Sequence, residues 1–285
     1  MQVLLTGATG YIGKRLLPAL LAAGHEVVCC VRDANRFQIP DYAGGRVQVV
    51  EADFLKKETL KHIPTTVTHA YYLIHSMSSG TTDFDQLEQQ TADLFRQRMD
   101  DLGVQQVIYL SGIVNEENLS MHLESRKRVE DILGTGRFRL TTLRAGIILG
   151  SGSASFEIMR GLVEKLPVMI APKWLKTRSQ PIAVRNVIEF LSGVLGDAAT
   201  FDQSYDIAGP DIMSYREMLL AFARIRRLRR WIITIPVLTP KLSSYWLYFV
   251  TSTSFSLAQN LVNSMKVEVI ARPNDLHHRL GIQLL

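Results

Sequence analysis

The sequence predicts an α/β fold in which a doubly wound parallel sheet carries a smaller C-terminal substrate-binding lobe. Three observations support this: short apolar runs alternate with amphipathic segments, the runs are almost continuously apolar, and a glycine-rich turn follows the first of them. The length of 285 residues, with 47% hydrophobic and 21% charged residues, is sufficient for one large α/β domain or two small ones.

Six apolar runs predict the strands of this sheet. They are Gln2–Thr6, Glu26–Val31, Val47–Glu51, His69–His75, Gln106–Ser111 and Leu140–Ile148, with a later strand at Ser204–Ala208. The clearest helix is predicted over Asp83–Leu102, where apolar residues recur on one face and Gly103 follows as a stop. Because the strands lack polar alternation, both faces of the sheet should be covered by helices.

A glycine-rich turn joins the first strand to the first helix. It consists of Gly7, Ala8, Thr9, Gly10, Tyr11, Ile12 and Gly13. Gly7 permits a tight turn, Gly10 lets the backbone approach a pyrophosphate, and Gly13 lets the helix pack closely on the strand. The turn therefore predicts a Rossmann-type dinucleotide site at the helix N-terminus. The alternative is a glycine-rich turn that binds nothing.

The end of the second strand bears on the choice of dinucleotide. Arg32 lies 19 residues after Gly13 and Asp33 lies 20 residues after it, so the ribose position has both signs of charge. An acid there holds the ribose hydroxyls of NAD, whereas an arginine accommodates the 2′-phosphate of NADP. Additional positive charge comes from Lys14, Arg15 and Arg36. NADP(H) is favoured over NAD(H), although Arg32 and Asp33 could form a solvated pair on a loop.

No clean linker divides the chain. Residues 1–150 are expected to form the NAD(P)-binding core, joined by later strands from 181–208, and residues 151–285 a smaller mixed lobe that caps the sheet. The loop 150–156 follows the sixth strand, at the edge where open α/β sheets bind ligands. Its serines either bind a polar substrate or only form turns.

Further segments carry a family resemblance. They are Ala52-Asp53-Phe54, Tyr109-Leu110-Ser111-Gly112, Leu143-Arg144-Ala145-Gly146, the run 180–184 and the run 205–210. With the glycine turn, they resemble the extended and atypical branch of the short-chain dehydrogenase/reductase superfamily, close to NmrA-like and nucleoside-diphosphate-sugar-epimerase-like proteins. The resemblance covers nearly the whole chain.

The resemblance implies roles for the cofactor-binding residues. Asp53 would bond the adenine amino group and Phe54 would lie beside the adenine ring. Three residues after the fourth strand, Leu73, Ile74 and His75, would line the path of the nicotinamide ribose. Asp53 could instead cap a helix, and the two roles can coexist.

The catalytic position departs from the family pattern. The family has Tyr-x-x-x-Lys on a helix, whereas this chain has His122 and Arg126 at the same spacing. Residues four apart share a helix face, so both could point at the nicotinamide, with Ser111 at the substrate-binding serine position. Arginine stays protonated and histidine titrates near pH 6.5. His122 is therefore either a proton donor or a helix-start residue in a fold that has lost turnover.

These observations leave three functions open. The leading hypothesis is an NADP(H)-dependent oxidoreductase acting on a small-molecule carbonyl or alcohol. The second is a non-catalytic, NADP(H)-sensing regulatory or assembly protein of the NmrA-like kind. A sugar-nucleotide epimerase or dehydratase is disfavoured, because those reactions normally use the missing tyrosine and lysine.

Composition and charge bear on location and partners. Cys29 and Cys30 are adjacent on a strand and should face opposite sides, which predicts neither a disulfide nor a metal site. With no secretion signal pattern, a cytoplasmic location is expected. A net charge of +5 is too modest to predict nucleic-acid binding. The arginine run 224–230 is either a solvated helix end or, with residues up to 250, a peripheral membrane contact.

Overall fold

The computed structural model describes residues 1–75, 84–114, 121–235 and 267–285, without the side chains of residues 84, 121–123 and 235. The first half contains β1 (Gln2–Thr6), α1 (Gly13–Ala22), β2 (Glu26–Val31), β3 (Val47–Glu51), β4 (His69–Tyr72), α2 (Phe84–Leu102), β5 (Gln106–Gly112), α3 (Met121–Leu133) and β6 (Arg139–Ala145). The second half contains β7 (Ile148–Leu149), α4 (Ala154–Lys165), β8 (Val168–Pro172), β9 (Arg178–Ser179), β10 (Ile182–Ala183), α5 (Val184–Gly193), β11 (Gln203–Ile207), β12 (Met213–Ser214), α6 (Tyr215–Ile225), β13 (Trp231–Ile235) and α7 (Leu276–Arg279).

Seven strands form one parallel sheet in the order β3-β2-β1-β4-β5-β6-β11. The helices α1 and α5 pack together, as do α2 and α3, and the sheet separates two hydrophobic clusters. This confirms the predicted doubly wound parallel sheet. The strand order reverses between β1 and β4, and the carboxyl ends of the strands at such a reversal are where open α/β sheets bind ligands.

The two cysteines lie on opposite faces of β2, as predicted. Cys29 belongs to one hydrophobic cluster and Cys30 to the other, and both thiols are free and buried. Burial raises the pKa of each thiol to about 12. The adjacent cysteines therefore fill the two halves of the core as small apolar side chains.

A third hydrophobic cluster lies outside the main sheet. It joins α4 and α6 to the parallel pair β8 and β13 through residues such as Ile158, Leu162, Met169, Met218 and Ile232. The segments that build it all follow residue 146. Among the described residues, no helix is long and apolar enough to cross a bilayer.

Two predicted strands end earlier than expected. The run 69–75 leaves the sheet after Tyr72, because the amide of Leu73 donates to the Thr6 side chain at 3.0 Å. The run 140–148 is interrupted at Gly146, where an added Cβ would lie 3.0 Å from the Gln180 carbonyl oxygen. The chain then resumes as β7, which pairs with β10 outside the main sheet. The helix predicted over 83–102 is confirmed for residues 84–102, and residue 83 lies outside the described part.

Candidate functional site

The glycine turn lies at the carboxyl end of β1, at the reversal in strand order. Gly7 has φ +64°, and an added Cβ would lie 2.5 Å from the carbonyl oxygen of Leu73. A Cβ on Gly13 would overlap the carbonyl oxygen of Gly7 and lie 2.9 Å from the Cα of Ala8. Both positions therefore require glycine, for the turn and for close packing of helix on strand respectively.

The N-terminus of α1 has no capping group of its own. Ile12 occupies the cap position without a side-chain hydrogen bond, and no acidic residue lies in the first turn. Among the described residues, the amides of Tyr11, Ile12 and Gly13 have no acceptor. A Cβ on Gly10 would meet only the Gly7 carbonyl oxygen, at 3.0 Å, so the space beyond is open. Unpaired donors at a helix start with an open approach fit a dinucleotide pyrophosphate.

Arg15 and Tyr11 connect this turn to the loop after β7. The Arg15 guanidinium lies 4.0 Å from the centroid of the Tyr11 ring, and its Nη2 donates to the Ser151 carbonyl at 2.6 Å. A Cβ on Gly150 would lie 2.5 Å from the Tyr11 hydroxyl, so glycine is needed for this approach. Ser153 caps α4 by accepting from the Phe156 amide at 3.2 Å, which is the turn role expected for a loop serine.

At the ribose position, the neighbouring residues Arg32 and Asp33 make different contacts. Asp33 accepts from the Asn35 amide at 3.0 Å and pairs with Arg36 at 3.2 Å. Arg32 is exposed and has no ion-pair partner within the described residues. Asp33 is therefore engaged in its own turn and pairs with Arg36 rather than with Arg32, whose guanidinium is available to a ligand.

The adenine position has one residue at the surface and one in the core. Asp53 Oδ1 accepts from the Leu55 amide at 3.0 Å, so the carboxylate stabilises the turn that it begins. The Phe54 ring is only 3% exposed and packs 5.3 Å from the ring of Phe95. This burial does not support the predicted place beside the adenine ring, because the core already covers the phenyl group. Adenine recognition by Asp53 stays a prediction.

Thr6 joins the carboxyl ends of β1 and β4 through its side chain. Its hydroxyl donates to the Tyr71 carbonyl at 2.7 Å and accepts from the Leu73 amide at 3.0 Å. This holds the residues after β4, namely Leu73, Ile74 and His75, at the carboxyl edge of the sheet. Their side chains are partly buried. Contact with the nicotinamide ribose stays a prediction for all three.

The predicted catalytic residues lie on β5 and α3. Ser111 is 2% exposed at the end of β5, and its hydroxyl has no hydrogen-bond partner of good geometry among the described residues. Tyr109 donates to the Arg126 carbonyl at 3.2 Å, which brings this end of β5 against α3. His122 belongs to the first turn of α3, but its side chain lies outside the described residues. The structure therefore places Ser111 beside the α3 helix without showing how His122 is oriented.

Tyr109 does not replace the tyrosine missing from the family pattern. Burial raises the pKa of its phenol to about 12, against the opposing effects of the Arg126 charge and of hydrogen bonding with the Ser111 side chain. The hydroxyl is already committed to a backbone carbonyl. Ser125 is equally committed, since its buried hydroxyl donates to Glu88 at 2.6 Å. Both contacts hold α3 in place.

Sequence reasoning missed a charge network beside this site. Arg144 on β6 binds Glu130 through two hydrogen bonds, of 2.6 and 3.0 Å, and lies 3.9 Å from Asp206 on β11. The Asp206 side chain is 1% exposed and accepts from the Arg272 guanidinium at 2.9 and 3.1 Å. Arg144 and Asp206 are register partners, and a charge within each apolar strand was the available signal. The network ties β6, β11, α3 and the C-terminal segment together.

An apolar cavity of about 50 Å³ lies in the third hydrophobic cluster. Its walls include Leu149, Ile158, Leu162, Met169, Trp174 and Tyr215. The buried indole N–H of Trp174 has no acceptor within the described part of the chain, and Ser155 adds a hydroxyl. Leu149 in the wall is followed directly by Gly150, which contacts Tyr11 of the glycine turn. The cavity and the turn thus meet in space at this loop.

Curated relatives match part of the chain. A divinyl chlorophyllide a 8-vinyl-reductase from Oryza sativa subsp. indica is 24% identical over 223 residues, which cover 73% of this chain and 54% of that protein. A 3-diazoavenalumate denitrifying reductase from Streptomyces sp. is 47% identical over 60 residues, which cover 21% and 18% of the two chains. The chain therefore spans about half the length of the first relative and less of the second.

Solved structures match over nearly the whole chain. A nucleoside-diphosphate-sugar epimerase from Staphylococcus aureus has a TM-score of 0.79 at 15% identity, covering 100% of this chain and 97% of that one. The triphenylmethane reductase of Citrobacter sp. with NADP(H) gives 0.79 at 15%, covering 100% and 96%. An NADPH-dependent quinone oxidoreductase from Escherichia coli gives 0.76 at 16%, covering 99% and 96%. At these identities, the likeness shows the shared fold.

The family follows from a match that includes the glycine turn. The sequence pattern of the NAD(P)H-binding family fits residues 7–160, which is more than half of the 285 residues. Its boundaries contain the turn, the ribose position, β4, β5 and α3. This chain belongs to the NAD(P)H-binding family, with the Rossmann-like fold of NAD(P)-dependent reductases and epimerases.

Proposed function

We propose that this protein is an NADP(H)-dependent oxidoreductase that transfers hydride between its cofactor and an apolar carbonyl or alcohol. The observation that carries the proposal is the apolar cavity joined to the glycine turn through the Leu149-Gly150 step. A family with a dinucleotide site needs a second site for its substrate, and this cavity adjoins the expected cofactor site. Two buried free thiols, Cys29 and Cys30, support a reducing, cytoplasmic location.

The choice of NADP(H) rests on the ribose position. Arg32 is exposed without an ion-pair partner in the described ranges, while Asp33 is occupied by the Asn35 amide and by Arg36. A carboxylate that would hold the ribose hydroxyls of NAD is thus engaged, and a guanidinium that would bind a 2′-phosphate is available. The reductases from Citrobacter and E. coli, named with NADP(H) and NADPH, support the same preference.

The cavity lining favours a reductase over a sugar-nucleotide epimerase. Its walls are apolar apart from the Trp174 indole N–H and the hydroxyl groups of Ser155 and Tyr215. A sugar nucleotide would bring several hydroxyl groups and two phosphates, and each polar group buried without a partner costs about 1–3 kcal/mol. A quinone or an aromatic ketone has one or two acceptor oxygens on an apolar frame. Such a substrate suits a lining with few polar groups.

Each chemical role falls on a residue near the carboxyl edge of the sheet. Bound NADPH would supply the hydride. The buried hydroxyl of Ser111, which interacts with the Tyr109 phenol but makes no hydrogen bond of good geometry among the described residues, would polarise the substrate carbonyl. We assign proton delivery to His122, and a fixed positive charge in the same helix to Arg126. The N-terminus of α1 would hold the pyrophosphate, with no proton transfer required there.

The non-catalytic alternative has its own support in the replacement of Tyr-x-x-x-Lys by His122 and Arg126. A protein of this kind would keep the cofactor site, lose turnover and report NADP(H) through a partner. Tight NADPH binding with no turnover of any substrate class would favour that function.

The test combines cofactor binding with turnover. We expect calorimetry to give tighter binding of NADPH than NADH, and Arg32→Ala to weaken NADPH binding about 10- to 100-fold with little effect on NADH. The matched control is Arg185→Ala, which removes an exposed arginine on α5. Equal affinity of the wild type for both cofactors would refute the preference.

Turnover is measured as NADPH oxidation with quinones, aromatic ketones and sugar nucleotides. Quinones or ketones should be reduced, and Ser111→Ala should lower kcat at least tenfold without changing NADPH affinity. Thr135→Ala is the control, because it removes an exposed hydroxyl that donates to the Ile132 carbonyl in the turn after α3. Turnover of sugar nucleotides alone would contradict the apolar substrate class.

A further inference from the structure

The parallel pair β8 and β13 has one face in the core and one in solvent. Its register places Trp231 beside Val168 and Ile233 beside Ile170. The intervening Met169 and Ile232 are buried in the third hydrophobic cluster. The four outward side chains are exposed by 46% (Val168), 51% (Ile170), 62% (Trp231) and 53% (Ile233). They form one continuous apolar surface, here called the outer face.

Five arginines lie directly before β13 in the sequence. The end of α6 and the following turn carry Arg224, Arg226, Arg227, Arg229 and Arg230. Arg226 pairs with Glu164 at 3.1 Å, and Arg230 donates to the backbone carbonyls of Val163 and Glu164. The remaining three are exposed and have no ion-pair partner in the part of the chain that the structure describes. Arg229 lies two residues before Trp231. It is exposed, like Trp231 and Ile233, so it continues the series of outward-facing side chains.

The surrounding sequence does not neutralise this charge. The fifty residues 218–267 contain seven Arg and Lys residues and no Asp or Glu. Ile225, between Arg224 and Arg226, is 78% exposed, so a further apolar side chain projects among the arginines. Contiguous exposed apolar side chains with charged residues at their margin mark an interaction site.

We propose that the outer face rests on an anionic lipid membrane. Trp231 would lie at headgroup level, the aliphatic side chains beside it would enter the acyl boundary, and Arg224, Arg227 and Arg229 would contact lipid phosphates. The sequence predicts a peripheral membrane contact for residues 224–250. The structure describes residues 224–235 of this segment, and the proposal assigns the contact to named side chains among them. An enzyme with an apolar substrate would then face the phase in which that substrate dissolves.

The same features argue against the other partners. A nucleic acid would use the arginines, but it would leave the aliphatic patch exposed. A second copy joined symmetrically would cover the patch, but it would add a second set of these arginines to the interface, and residues 218–267 contain no acidic residue to pair with them. An anionic bilayer satisfies both the charge and the apolar surface.

The experiment is sedimentation of the full chain with vesicles. We expect binding to vesicles of phosphatidylcholine and phosphatidylglycerol in equal parts, much weaker binding to phosphatidylcholine alone, and release by high salt. Trp231→Ser and Ile233→Ser should each weaken binding at least tenfold. Arg227→Gln combined with Arg229→Gln should weaken it about 25-fold, from about fivefold for each charge.

Controls exclude general effects of surface substitution. Tyr42→Ser removes an aromatic side chain that is 58% exposed elsewhere, and Arg185→Gln removes a distant exposed charge. Both should bind vesicles as the wild type does, and NADPH titration should show that every variant retains its cofactor site. Absence of vesicle binding at low salt, or equal binding by the outer-face variants, would overturn the proposal. So would a dimer that Trp231→Ser dissociates in sedimentation velocity, or binding of RNA or DNA in place of vesicles.

Discussion

Replacing each of two glycines in the turn by alanine should separate cofactor binding from folding. At Gly10 the added Cβ would meet only the Gly7 carbonyl oxygen, at 3.0 Å, and the backbone is not in the left-handed region. The strain is a shift of a few tenths of an ångström, and alanine also reduces the entropy of the unfolded chain by about 0.4–1 kcal/mol. The free energy of unfolding of Gly10→Ala should therefore stay within about 1 kcal/mol of the wild type.

The same methyl group should block the cofactor. It would enter the open space beyond Gly10, from which we expect the pyrophosphate to reach the amides of Tyr11 and Ile12, which have no acceptor among the described residues. Each charge-assisted hydrogen bond contributes about 1.5–3 kcal/mol, so losing two corresponds to at least about a 100-fold weaker affinity for NADPH. Gly13→Ala should behave differently, because its Cβ would overlap the Gly7 carbonyl and the Ala8 backbone. We expect it to cost about 3 kcal/mol or more in folding stability.

The assays are calorimetric NADPH titration and urea unfolding on the same preparations. Gly134→Ala is the control, because its Cβ would lie 3.3 Å from the Glu130 carbonyl, away from the turn. It should match the wild type in both assays to within about 1 kcal/mol. Unchanged NADPH affinity in Gly10→Ala would show that the pyrophosphate does not bind this turn. Unchanged stability in Gly13→Ala would refute the close packing of α1 on β1.

Two further predictions concern stability. Arg272→Ala removes the guanidinium from the buried Asp206 carboxylate, which keeps only the amide of residue 272 and the Arg144 guanidinium at 3.9 Å. Because Arg272 is 60% exposed, we expect the free energy of unfolding, measured in urea, to fall by about 2 kcal/mol. Arg139→Ala, which breaks the exposed pair with Asp202, should cost under about 1 kcal/mol, and an equal loss in both would contradict a structural role for the network. Burial and the N-terminal charge lower the pKa of His69 below its usual 6.5, so protonation favours the unfolded chain, and stability should fall as pH falls below about 6.5. Urea midpoints at several pH values should show a smaller fall for His69→Gln than for the exposed-site control His278→Gln, and identical slopes would refute the assignment.

The sheet could be predicted from the sequence because its signals are local. Near-continuous apolar runs and glycine turns depend on neighbours in the chain, and the order of strands and helices follows from them. The two errors arise from contacts that are distant in sequence. The Leu73 amide donates to Thr6 on the neighbouring strand β1, where β4 ends. The Gln180 backbone approaches Gly146 and diverts the chain after β6.

The same difference between local signals and contacts distant in sequence applies to the candidate site. The glycine turn lies within seven consecutive residues, and sequence spacing identified all of it. The cavity gathers residues from Ile147 to Leu219, whose pattern matches that of any helix or strand core. The Arg144 network likewise joins four segments, and only the register between β6 and β11 shows that the two charges meet. Such features require the fold before they can be recognised.

For some residues, sequence spacing does not decide whether they bind the ligand. Their short-range hydrogen bonds in the structure help to decide it. Asp33 accepts from the amide two residues ahead at 3.0 Å, and Asp53 and Asp197 make the same contact at the same distance. A short carboxylate after a strand can always satisfy its own turn in this way, and it then competes with any ligand for the same oxygen. Arginine carries only donors on a long side chain and cannot form this turn. At a position where both charges stand side by side, the arginine is therefore the one left available to a ligand, and on this ground Arg32 is the residue to test first.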